Sequence, residues 1–228
     1  MKIVAISDIH GELPPLPECD VVVICGDIVP VKIQTRGDKS AEWFAGEFQS
    51  WCLALPCKKV IFIGGNHDFL LEDLLKHHSI EEITQGLFEA DEERKIVLLH
   101  DSSFEFEGVS FYGTPWCPAL KDWAFFADDS KRKVLFSQIP DCDILLTHCP
   151  PKVGEQGVVL EPTRHYLSDF GDEVLAEILT QKQIKWVLSG HIHSGSHRVE
   201  MVGKTNIRNC SIKDEAYKAT YTPFEFEV

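Results

Sequence analysis

No apolar run in the chain approaches the ~20 residues that a membrane-spanning helix needs, so no membrane segment is expected. G-x-S-x-G, G-x-G-x-x-G, P-loop and C-x-x-C patterns are all missing. Their absence removes the serine-hydrolase elbow, the dinucleotide fold, the P-loop NTPases and paired-cysteine zinc sites. Positive charge is scarce: 22 Lys and Arg stand against 36 Asp and Glu, for a formal net charge of -14. Such a surface repels polyanions, so neither extended nucleic acid nor an anionic membrane is an expected partner. A small phosphorylated substrate stays compatible, because bound divalent ions are often the largest local charges in a site. The run from Met1 to Ile6 breaks at Asp8 and has no signal-peptide layout. A cytoplasmic location is therefore expected, with the eight cysteines reduced and mostly acting as small core residues.

What is present fits a globular protein of ordinary composition, 44% apolar and 25% charged. A length of 228 residues predicts a single domain, 1–228. Short β-branched runs at 3–7, 21–25, 60–64, 96–99, 109–112, 144–147 and 186–189 read as buried strands. Helices are expected at 41–55, where Trp43, Phe44, Phe48, Trp51, Cys52 and Leu55 share a face, and at 129–138 and 173–181. Alternation of strand and helix near the N-terminus predicts an α/β fold with parallel strands. Runs at 197–202, 205–209 and 224–228 predict antiparallel strands finishing the chain, the first two as a hairpin. Pro14, Pro15 and Pro17 predict an extended first connection, and Gly154, Gly157 and Pro162 a long loop after His148.

Five of the strand-like runs end in metal-capable residues: IVAIS meets DIHG, VVVIC meets GD, VIFIG meets GNHD, ILLT meets His148, and WVLS meets GHIH. Ligands of open α/β sheets bind outside the carboxyl ends of the strands, so residues far apart in sequence can converge there. Asp8 with His10, and His191 with His193, lie two apart and can each act as a clip on one centre. Asp27 offers a carboxylate able to bridge two cations, Asn66 an amide oxygen, His148 a further imidazole. This mixed nitrogen and oxygen set suits Mn, Fe, Co, Ni or Zn better than an all-oxygen Ca or Mg cage. Gly11, Gly26, Gly65 and Gly190 beside these residues fit tight loops.

The order D-x-H, G-D, G-N-H-D, H, G-H-x-H, running from Asp8 to His193, resembles the calcineurin-like metallophosphoesterases. GTPW at 113–116 and LLTHCPP at 145–151 are similar to the metallophosphoesterase-domain branch related to the brain protein called 239FB. The resemblance implies a four-layer α/β/β/α sandwich with mixed sheets and a dinuclear site. Asp8, His10, Asp27 and His193 would hold one ion, and Asp27, Asn66, His148 and His191 the other, with Asp27 bridging. His67 would face the substrate phosphate, and Asp68 would hydrogen-bond His67 to fix its tautomer. Two such ions about 3.5–4 Å apart hold a hydroxide between them as nucleophile.

The expected activity is hydrolysis of a small phosphodiester, with cyclic nucleotides among the candidates. A phosphomonoesterase or protein phosphatase is the alternative within enzymes, and a non-catalytic metal-binding interaction scaffold the alternative outside them. Trp116, Trp123, Phe125 and Phe126 read first as core aromatics and second as an apolar wall of the site. Arg164, His165 and Arg198 are candidate phosphate contacts, with solvated surface charge as their ordinary role.

Overall fold

In the computed structural model, which describes residues 1–118, 120–161 and 166–228, two mixed sheets face each other. The first has the order β13-β1-β2-β3-β4. Strands β1 (Lys2–Ile6), β2 (Val21–Ile24), β3 (Lys59–Phe62) and β4 (Ile96–Leu98) run parallel, and β13 (Phe224–Glu227) pairs antiparallel with β1 at the edge. The β1 to β3 runs are apolar almost throughout because both faces are covered, as parallel sheets require. In contrast, β13 reads Phe-Glu-Phe-Glu and has one wet face, as an edge strand allows.

The second sheet has the order β11-β12-β10-β7-β6-β5. Its parallel centre comprises β6 (Val109–Thr114), β7 (Cys142–Thr147), β10 (Ile184–Ser189) and β12 (Thr205–Asn209). Antiparallel edges are supplied by β5 (Ser102–Phe106) and β11 (Glu200–Val202). Register levels the carboxyl ends: Ile6 pairs with Ile24 and Ile24 with Phe62, while Thr114 pairs with Thr147 and Ser189 with Asn209. The residues that follow these strands therefore emerge along one rim.

Period-two alternation distributes the core over three layers. Ile3, Ala5, Val21, Val23, Ile61 and Ile63 meet Phe111, Ile144, Leu146 and Leu188 between the sheets. The opposite faces carry Val4, Ile6, Val22, Ile24 and Phe62 under the first helical layer, and Tyr112, Leu145 and Val187 under the second. This is the α/β/β/α sandwich. Removing one of its large buried rings, such as Phe48, costs about 3–5 kcal/mol in such a core.

The helix expected at 41–55 begins four residues earlier as α1 (Gly37–Trp43), widens into a π-helical turn over Phe44–Phe48, and continues as α2 (Gln49–Ala54). Trp43, Phe44, Phe48 and Cys52 still face the sheet. Two further helices, α3 (Phe69–Leu75) and α4 (Ile80–Leu87), lie outside the expected set. The second of them starts on a capping box in which the Ser79 hydroxyl accepts from the Glu82 amide and the Glu82 carboxylate accepts from the Ser79 amide. On the far layer, α5 (Asp129–Ser137) and α6 (Glu173–Leu179) are joined by a buried ion pair, Arg132 Nε to Asp172 Oδ2 at 2.8 Å. Instead of a plain loop after His148, the chain forms a hairpin of β8 (Val158–Glu161) and β9 (Tyr166–Asp169). Pro162 falls outside the described residues.

All eight cysteines are unpaired, six of them buried. Among the described residues, no helix is long and apolar enough to cross a membrane.

Candidate metal centre

At the levelled rim, the loops after β1 and β2 run side by side. Asp8 N donates to Gly26 O, His10 N to Asp27 O and Gly11 N to Ile28 O, at 2.8–3.0 Å. To project their side chains inward, Asp8, His10, Asp27 and His191 adopt left-handed backbone with φ of 56°, 44°, 55° and 66°. That conformation costs roughly 1–2 kcal/mol per non-glycine residue, and such strain concentrates at functional sites. Gly190 permits the approach of the last loop, since a Cβ there would lie 2.0 Å from Ser7 Oγ and 2.2 Å from Asp8 Oδ2.

All seven residues expected as ligands meet here. The Asp8 carboxylate accepts the His191 amide (3.0 Å to Oδ2) and sits 3.3 Å from His193 Nε2. The Asp27 carboxylate accepts the His67 amide at 2.8 Å and lies 3.3 Å from His148 Nε2 and 3.7 Å from His10 Nε2. Asn66 Oδ1 is 2.9 Å from His148 Nε2. The opposite ring nitrogens are fixed by backbone: His148 Nδ1 donates to Cys25 O and His193 Nδ1 to Asp214 O. Each of these two histidines thus keeps Nε2 for the centre, the usual way a protein sets a ligand tautomer.

Donor atoms of Asp8, His10 and His193 lie within 4.8 Å of one another, as do those of Asp8, Asp27 and His148, and those of His10, Asp27 and His67. Both ring nitrogens of His10 are buried and lack any hydrogen-bond partner. A buried imidazole left so is costly. The same geometry with a cation beside His10 is not, and the donor set therefore fits a metal.

Electrostatics agree with the geometry. Burial pushes His10 and His191 down to about 4 each, so both are neutral and able to coordinate at neutral pH. Burial also opposes charge on His148, but the carboxylates of Asp27 and Asp8 outweigh it and push the group up to about 9. Although burial works against ionised Asp8, contacts with His193 and His148 hold its carboxyl down at about 2. Asp27 is likewise held well below the usual carboxylate range by His148, His67 and His10, against burial. Without a cation, protonated imidazole balances the buried carboxylates.

One expected pairing is corrected. Asp68 does not hydrogen-bond His67: its carboxylate turns inward and accepts the amides of Ile28, Val29 and Gly65 at 2.8–3.2 Å. The shorter aspartate, fully buried at the start of α3, ties the second and third loops together. Burial and the Asp27 charge push its carboxyl up to about 7. His67 Nδ1 instead pairs with the side-chain amide of Gln34. Its Nε2 is 3.8 Å from Asp27 Oδ2 and its ring borders the cavity.

That cavity, about 150 Å³, is lined by Asp27, Asn66, His67, His191, His193, Glu215 and Tyr217. The larger cleft of about 830 Å³ lies by the amino ends of β7, β10 and β12, away from these ligands. Trp123 packs on the His67 ring at 4.5 Å, and Tyr217 on His10 and His193 at 4.9 and 5.2 Å. Of the four aromatics considered above, Phe125 is fully buried core, Trp116 packs against the core and donates to Asp101, Phe126 is half-buried, and Trp123 is the one on the rim. The Arg198 side chain is exposed and does not line the cavity. Arg164 and His165 lie outside the described residues. Gln34, Glu215 and Tyr217 were not singled out by sequence, since none falls in a motif or next to a strand end.

Comparison with known proteins follows the same lines. Two UPF0046 proteins of Caenorhabditis elegans match the whole chain, at 28% identity over 244 residues and 24% over 251, the chain spanning 81% and 60% of their lengths. The human metallophosphoesterase domain-containing protein 1 is 25% identical over 252 residues, covering 100% of this chain and 71% of its own. Among solved structures, the phosphopantetheinyl hydrolase of Mycobacterium tuberculosis has the same fold at TM-score 0.52 and 13% identity, over 95% of this chain and 90% of that one. The calcineurin-like phosphoesterase model matches residues 1–195, which contain all seven candidate ligand positions, and the chain belongs to that family.

Proposed function

We propose that the protein is a metal-dependent phosphodiesterase acting on small substrates, with cyclic nucleotides the first to try. The observation that carries this reading is the lining of the cavity. Its described residues bring His67, Asn66 and two metal-directed histidines together with Asp27 and Glu215, and include no Lys or Arg. A phosphomonoester arrives as a dianion and is best held by added cationic side chains, whereas a diester carries one charge and needs fewer. The cavity of about 150 Å³ admits a phosphoryl group and not a folded protein segment.

Asp8, His10, Asp27 and His193 would hold one divalent ion, and Asp27, Asn66, His148 and His191 the second. When bound, such a pair supplies an activated water and neutralises charge on the phosphoryl oxygens. The chain's own residues do the rest. Burial, the largest influence, lowers His67 below the ordinary histidine value, so the ring is neutral at pH 7. A neutral ring can protonate a leaving oxygen only if its proton sits on Nε2, the nitrogen facing Asp27. Gln34 Oε1 faces Nδ1, and a half-turn of the amide would present NH₂ there instead and leave the proton on Nε2. An aspartate in that place would fix the opposite tautomer or charge the ring. Tyr217 and Trp123 flank these imidazoles and limit water access from the rim.

The test is hydrolysis of a bis-aryl against a mono-aryl phosphate by protein loaded with Mn, followed by 2′,3′- and 3′,5′-cyclic nucleotides. Preference for the diester is expected; a strong preference for the monoester overturns the reading.

A further inference from the structure

The second ion position has a soft donor that its nitrogen and oxygen ligands do not account for. Cys117 is fully buried in the segment following β6, and its Sγ lies within 4.8 Å of ring nitrogens of both His148 and His191. No other cysteine falls in such a group among the described residues. The position is well fixed: Cys117 N donates to Phe125 O at 2.9 Å, and Ala127 N donates to Cys117 O at 3.2 Å. Gly64 seats the Phe125 ring beneath it, since a Cβ at Gly64 would lie 2.4 Å from Phe125 Cε2. The thiol makes a long contact of 3.6 Å to Pro115 O and a further hydrogen bond with the Cys149 backbone, weak sulfur interactions that cost little to give up.

We infer that Cys117 is a thiolate ligand of the second metal position, completing a donor set of sulfur, imidazole, amide and carboxylate. This rests on the dinuclear reading above. Metal–sulfur and metal–imidazole bonds of about 2.3 and 2.1 Å place two donors of one ion at most about 4.4 Å apart. The Cys117 sulfur and the two ring nitrogens lie within 4.8 Å of one another, and side-chain rotation brings them to bonding separation. Coordination breaks the S–H bond and forms a metal–sulfur bond, the proton passing to solvent. The consequence is asymmetry between the positions. The Asp8, His10, Asp27 and His193 set contains no sulfur and accepts harder ions, whereas the Cys117 position selects thiophilic ions such as Zn or Co.

The experiment loads the metal-free full chain with Co(II) and records near-ultraviolet and visible spectra alongside metal content. With two cobalt ions bound, a thiolate-to-cobalt charge-transfer band is expected in the near-ultraviolet. Cys117→Ser should lose it. Cys149→Ser should keep it, because the Cys149 sulfur points to Pro150 O and Phe170 O instead. The second Zn(II) should bind Cys117→Ser at least about ten-fold more weakly, the lower end of what even outer partners contribute, with Mn(II) affinity changed little. X-ray absorption on the unmodified Zn-loaded protein gives a readout that needs no variant: one sulfur scatterer at about 2.3 Å. Two bound ions without a band or a sulfur scatterer, or a band that survives Cys117→Ser, overturn the assignment and leave the dinuclear reading standing. Failure to bind any ion overturns both.

Discussion

Gly65→Ala isolates how closely the loops must approach to hold Asp27 in place. A Cβ at Gly65 would lie 2.3 Å from Asp27 Oδ1, 2.4 Å from Asp27 N and 2.8 Å from His148 Cε1. Ordinary contact needs roughly 3.5 Å, so either the Asp27 segment or the Gly65 loop must retreat by about 1 Å. Asp27 has little freedom to do so, since its carbonyl accepts from His10 N and its carboxylate from His67 N. Overpacking of this kind costs about 1–3 kcal/mol, which for a chain of this size lowers the melting temperature by roughly 2–12 °C. The larger effect is positional: a displacement of about 1 Å at a reacting centre costs on the order of 10²-fold in rate. The expected result is a folded variant with weakened metal binding and roughly a hundredth of the turnover on a bis-aryl phosphate. Gly46→Ala is the control, because no atom lies within 4 Å of a Cβ built there, and it should leave turnover unchanged. If Gly65→Ala keeps wild-type metal affinity and turnover within about three-fold, the close approach of these loops is not what holds the Asp27 carboxylate.

His67→Ala should retain both ions by metal analysis while turnover falls by roughly 10²- to 10⁴-fold; a fully active variant removes the proton-delivery role. Metal affinity should rise with pH, because His148 of the metal-free protein is pushed up to about 9 and its proton must leave before the ring can coordinate. Titration calorimetry between pH 6 and 9 should show about ten-fold tighter binding per pH unit for each proton displaced, and a flat profile would contradict the assignment of His148. By the same linkage, the metal-free protein draws stability from the raised His148 in full below the ordinary histidine value, and loses it as the pH rises through about 9. Arg132→Met should destabilise the chain by about 3–5 kcal/mol in urea unfolding, since it strands the buried Asp172 carboxylate that also caps α6. A loss under about 1 kcal/mol would mean that the pair contributes little.

The strands and the convergence of the candidate ligands were legible in sequence for one physical reason. Parallel strands buried on both faces must be apolar along their length, so a polar residue at the end of a run marks where the chain leaves the sheet. Asp8, Asp27, Asn66, His148 and His191 all stand within four residues of such an end, and levelled register turns that one-dimensional mark into a shared rim. The edge elements gave no such mark: β5 alternates with polar residues and α3 is only two turns long. The error over Asp68 has a different origin. Adjacency to His67 suggested a partner, but the α3 start directs the Asp68 carboxylate into three backbone amides, and burial leaves it no second role. The partner of His67 comes from Gln34, in the turn before α1, where nothing periodic precedes it. Cys117 was hidden in the opposite way. Inside an apolar run, a cysteine has the composition of core, and only the fold shows that this one faces two imidazoles across the gap between the sheets' carboxyl ends. Candidate ligands at strand ends can thus be read from sequence, whereas the residues that surround them are placed by loops whose path depends on packing.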